Sequence, residues 1–127
     1  MSCLIITNNP EVSERLPHLE VLSVEGSVLD LYTRVRDFIH KGHALITHPL
    51  SGSLKPGKIP YKSVILAGER QDLDPISLQL IESSIETYHN TCSRAAQNLK
   101  TGLLKDYATI DLSHLEAALE SLKHQLN

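Results

Sequence analysis

Cysteine is scarce in this chain of 127 residues: Cys3 and Cys92 are the two it has, and neither belongs to a CxxC pair. That excludes a disulfide framework and the paired spacing of a structural zinc site, so both thiols are expected as reduced core residues. No apolar run approaches the roughly 20 residues that cross a bilayer. Met1 to Thr7 is too short for a secretory leader before Asn8-Asn9-Pro10 intervenes. The expectation is a cytoplasmic protein without a membrane partner. The glycine motifs GxxxxGKS/T, GxGxxG and GxSxG are also missing, which removes the phosphate-loop, dinucleotide-binding and nucleophile-elbow readings.

Acidic residues are absent from one long window. The formal charge is −3, which argues against general nucleic-acid binding, yet no Asp or Glu lies between Asp37 and Glu69. Lys41, Lys55, Lys58 and Lys62 give that window +4 and leave −7 for the rest. Charge gathered in this way draws small anions toward a cleft.

What is present fits one domain, 1–127, with 41% hydrophobic residues and enough length to bury a core. Cys3-Leu4-Ile5-Ile6-Thr7 reads as a strand, Asn9-Pro10 as a helix start, and Pro17 as its stop. Glu20–Val24 is the second strand. Ser27 with Asp30 matches a capping box, and Val28, Leu31, Tyr32, Val35, Phe38 and Ile39 follow at helical spacing up to Gly42. Ala44–Thr47 and Ser63–Ala67 are apolar throughout and read as third and fourth strands covered on both faces.

From about residue 74 the chain turns helical. Asp74-Pro75 starts one helix, whose Leu78, Ile81, Ile85, Tyr88, Cys92, Ala95 and Leu99 repeat at 3-4 spacing. A second is expected from around Asp111, with Leu112, Leu115, Leu119, Leu122 and Leu126. Such narrow seams either pack within the chain or join two copies as a homodimer through the C-terminal helices. The alternation of strand and helix predicts an α/β three-layer sandwich with a four-stranded, mostly parallel sheet. The connection from third to fourth strand contains no helix, so the direction of the fourth stays open.

Ligands of open α/β sheets bind outside the carboxyl ends of the strands. Asn8 and Asn9 follow the first strand, Glu25 and Ser27 the second, and His48, Ser51, Gly52, Ser53 and Lys55 the third, inside a loop with three prolines. Arg70 joins them if the fourth strand is parallel. Two of these clusters lead into helix N-termini, where free N–H groups favour an anion. The alternative is that Asn9 and Ser27 are simply caps. His40, His43 and His48 do not make a metal site, because His43 and His48 end one strand about 16 Å apart at roughly 3.3 Å per residue. No metal and no cofactor are expected.

The segments Leu4–Pro10, Val24–Ser27, Val35–Asp37 with His40–His43, and above all Thr47–Pro56 with its His48-Pro49-Leu50-Ser51-Gly52-Ser53 core resemble the GrdX family. These are small proteins encoded beside the glycine reductase genes of amino-acid-fermenting anaerobic bacteria. The resemblance implies an accessory or regulatory place in that metabolism, with glycine reductase components as candidate partners; it supplies no catalytic residue. Three functions remain open. The first is binding of a small anionic metabolite at the carboxyl edge. The second is a small enzyme acting on a phosphorylated or carboxylated substrate, with His48 as acid/base. The third is a module that binds a protein partner.

Overall fold

Local signals set the first elements. In a computed structural model, in which residues 2–50, 60–91 and 101–126 are described, β1 is Cys3–Thr7 and α1 is Pro10–Arg15. Asn9 caps α1 by accepting the Glu11 N–H at 3.0 Å. After β2, Val21–Ser23, comes α2, Val28–His40, opened by the Ser27–Asp30 capping box. It closes at Gly42, whose φ of +108° admits glycine and where a Cβ would strike the Gln71 carbonyl. β3 is Ser63–Ala67, α3 is Pro75–Thr91 and α4 is Thr101–Leu126.

The sheet overturns the expected four-stranded, mostly parallel arrangement. It is mixed and has three strands, in the order β2-β1-β3. β2 runs parallel to β1, with Ile5 opposite Val21, and β3 runs antiparallel to it, with Ile5 opposite Ile65. The expected third strand, 44–47, makes one bridge, Leu45 to Leu66.

Thr47 explains why that pairing stops. Ile46 N–H donates to the Ile65 carbonyl at 2.8 Å, and Thr47 N–H turns to the same oxygen at 3.3 Å. Thr47 Oγ1 then accepts the Ile65 N–H at 3.0 Å, taking the place of a backbone carbonyl in the ladder. On the outer side, Leu45 N–H donates to Ser77 Oγ of α3 at 2.9 Å. Segment 44–47 runs antiparallel to β3, which answers the strand direction that the sequence left open.

Side-chain alternation along the strands divides the core between two faces. Leu4, Ile6, Val64 and Leu66 pack with α2 and α3, whereas Ile5 and Ile65 pack with α1 and α4. Both seams are used inside the chain. Leu78, Ile81, Ile85 and Tyr88 of α3 face α2, where the Tyr88 and Tyr32 rings meet edge to face at 5.3 Å. Leu112, Leu115, Leu119 and Leu122 of α4 pack on Val12, Leu16 and the sheet. The side chains of Cys92, Ala95, Leu99 and Leu126 lie outside the described residues.

α4 starts ten residues before the Asp111 expected as its beginning, so Asp111 lies within the helix and is buried. Among the described residues, no helix is long and apolar enough to cross a membrane.

Candidate functional site

The carboxyl ends of β1 and β2 meet the amino end of β3, because β3 is antiparallel: Thr7 stands opposite Ser63. Asn8 ties this edge together. Its Nδ2 donates to the Gly26 carbonyl at 3.2 Å and to the Pro60 carbonyl at 2.8 Å, while its Oδ1 accepts the Lys62 N–H at 2.8 Å. One amide thus joins the turn before α2 to the chain entering β3, with both of its donor hydrogens and its oxygen in use.

Beneath Asn8 lies a buried polar cluster. Asn9, 1% exposed, donates through Nδ2 to Asp111 Oδ2 at 3.0 Å and to the Ala108 carbonyl at 2.8 Å. Ser63 Oγ donates to the same Asp111 Oδ2 at 2.7 Å and lies 2.7 Å from Thr7 Oγ1. Thr7 Oγ1 also accepts the Asn9 N–H at 3.0 Å. Lys62, 6% exposed, and Asp111, 8% exposed, bring opposite charges to this edge. Burial pulls the Lys62 ammonium down from its ordinary range to about 8, while Asp111 pulls it the other way. Burial, with Tyr88 and Asp111 adding to it, pushes the Tyr32 hydroxyl well above its usual range. That hydroxyl donates to the Pro49 carbonyl at 2.6 Å, which anchors the chain just beyond His48.

The sequence-predicted residues divide. Asn8 and Gly26, next to Glu25 and Ser27, meet at the edge, and His48 leaves the segment that borders β3 at the same end. Asn9 points inward and serves as a cap. Ser27 is the other cap, and the Asp30 carboxylate covers the α2 N-terminus by accepting Ser27 N–H at 2.9 Å. An acidic group therefore occupies the place an anion would take. α1, with six residues, is too short to offer an alternative.

His48 is exposed, and its Nδ1 accepts the Leu50 N–H at 3.0 Å. Among the described residues, no hydrogen bond joins it to Glu25 or to a serine. Arg70 lies at the opposite edge, donating from Nε to the Lys41 carbonyl at 3.1 Å, because β3 is antiparallel. Ser51, Gly52, Ser53 and Lys55 lie outside the described residues. No group of His, Cys, Asp or Glu that could hold a metal ion occurs among the described residues.

Thr7, Lys62, Ser63 and Asp111 were missed by sequence reasoning. Two signals were available: a lysine abutting an apolar strand, and an aspartate at a seam position, since Ala108, Asp111, Leu115, Ala118 and Leu122 run at 3-4 spacing.

At the opposite edge lie three clefts of about 450, 260 and 240 Å³. The largest is lined by Cys3, Leu16 and Leu19 against Leu119 and Leu122 of α4. Cys3 is thus partly exposed, unlike the core thiol expected.

A family model described as GrdX-like protein matches residues 4–120. The chain belongs to the GrdX-like protein family. Both the carboxyl-edge cluster and most of the lining of the opposite-edge clefts fall within the part that matches the family. Membership is consistent with the glycine reductase context expected from the sequence. Comparison with curated proteins and with solved structures gave no match.

Proposed function

We propose that this GrdX-like chain is an accessory or regulatory protein of glycine reductase metabolism that binds a small anionic metabolite at the carboxyl edge of β1 and β2. The observation that carries the reading is Lys62. Lysine is among the residues least often buried, and this one is 6% exposed at the edge where α/β sheets receive ligands. Its backbone is held on both sides: Asn8 Oδ1 accepts its N–H at 2.8 Å, and its carbonyl accepts the Asn8 N–H at 3.3 Å. An ammonium shielded from water attracts a carboxylate or phosphate more strongly than a surface lysine does. Lys62 also belongs to the acid-free window from 38 to 68, which supports the same reading.

Calorimetric titration with inorganic phosphate, acetyl phosphate and acetate tests this. Wild type should give saturable heat with at least one of them, and Lys62→Met should weaken that binding by about 1–3 kcal/mol, the range for hydrogen bonds to charged groups. No heat with any of the three overturns the proposal.

A further inference from the structure

At the edge opposite the candidate site, one buried ring has a nitrogen left over. His43 is 8% exposed and follows the turn that closes α2 at Gly42. Its backbone N–H donates to the Phe38 carbonyl at 3.1 Å, and its ring meets the Phe38 ring edge to face at 5.5 Å. Nδ1 lies 2.9 Å from the Ala67 carbonyl oxygen. A carbonyl only accepts, so Nδ1 carries the hydrogen and Nε2 of the neutral ring is left as an acceptor. Among the described residues, Nε2 has no hydrogen-bond partner. Buried polar atoms are seldom left so, and a bound molecule that donates hydrogen would satisfy this one.

A cleft of about 240 Å³ stands at this ring, lined by His43, by Leu4, Leu22 and Phe38, and by Glu20. That volume falls below the range of roughly 300–1,000 Å³ for drug-sized ligands, yet it is several times the share of one water, about 30 Å³. The occupant it fits is therefore small, with an apolar body to match three apolar side chains. Charge of either sign is disfavoured. Glu20 repels an anion, and Lys41 Nζ, 4.9 Å from the centre of the Phe38 ring, repels a cation. We infer that this cleft is a second binding site, for a small neutral alcohol whose apolar body packs on Leu4, Leu22 and Phe38 and whose hydroxyl donates to His43 Nε2. The contacts to Phe38 and Ala67 hold the imidazole before the ligand arrives, so little ordering is needed on binding. This site is independent of the anion site at the carboxyl edge.

Titration of the isotope-labelled full chain with 1-butanol and its isomer diethyl ether tests this, followed by backbone amide shifts at about pH 8.5, where imidazole is ordinarily neutral. The two probes have the same atoms, and the ether lacks the O–H. 1-Butanol should give saturable shifts at Leu22, His43 and Gly68, with a Kd at least about threefold below that of the ether, the lower part of what one hydrogen bond contributes. His43→Phe, which keeps a ring and removes the acceptor, should make the two isomers equal. The comparison in wild type stands without the variant, so a His43→Phe chain that fails to fold leaves the inference exposed to refutation. Equal affinity for the isomers in wild type, shifts confined to residues outside the cleft, or no saturable shift with 1-butanol would overturn it. None of these results bears on phosphate or acetate at the carboxyl edge, and failure of those anions to bind would leave this cleft as it stands.

Discussion

Lys62 and Asp111 carry the buried charge of the candidate site, and the lysine has a consequence for stability. Its ammonium is held down at about 8 in the folded chain, against an ordinary value of 10.5. Between those values the unfolded chain binds more protons than the folded one, so stability rises as pH climbs through that window. Tyr32 acts with the opposite sign: its hydroxyl is raised by burial, so its contribution is present below its ordinary value and is lost as pH rises above about 10. Urea unfolding should therefore show stability increasing from pH 8 to 10 by on the order of 2 kcal/mol, then falling. Lys62→Met should flatten the rising limb. A curve that falls between pH 8 and 10 in wild type would contradict the burial of this amine. Locally, Lys62 differs from Lys58 and Lys55 only in abutting an apolar strand; the contact that pins its backbone comes from Asn8, 54 positions away.

At the scale of elements, the sequence was legible wherever the deciding contacts are local. Asn9, Ser27 and Asp74 cap helices as their residue types dictate, the last by accepting Ser77 N–H at 3.3 Å and Ser77 Oγ at 2.6 Å. The sheet was legible in its apolar runs and illegible in its order, because the direction of β3 is fixed by pairings more than 50 positions apart. Segment 44–47 looks like a strand from composition, yet Thr47 Oγ1 diverts the ladder after one bridge. Asp111 has the residue type of a helix start, but it is a buried polar residue within an apolar stripe, and α4 begins ten residues before it. The internal use of that stripe is testable. Leu115, 4% exposed, packs in the core under the sheet, while Ile110, 49% exposed, faces outward. Leu115→Ala should cost about 2–5 kcal/mol, and Ile110→Ala should remain within about 0.5 kcal/mol of wild type. Equal effects in denaturant unfolding would mean that α4 is turned differently on the sheet.

Across the whole molecule, the two ends of the sheet have different characters. The carboxyl end of β1 gathers Asn8, Asn9, Lys62, Ser63 and Asp111 into a hydrogen-bonded cluster with buried charge. Among the described residues, the other end holds clefts that include one lined by Cys3. For an anion, chemistry favours the first, since titratable groups held in buried surroundings gather at functional sites. The measurement that decides is a map of backbone amide shifts, recorded as phosphate, acetate and glycine are added to the isotope-labelled chain. Binding at the carboxyl edge predicts saturable shifts at Asn8, Gly26, His48, Lys62 and Ser63, with Cys3, Gly42 and Gly68 unmoved. Shifts concentrated at Cys3, Gly42 and Gly68, or none at any concentration, would contradict it.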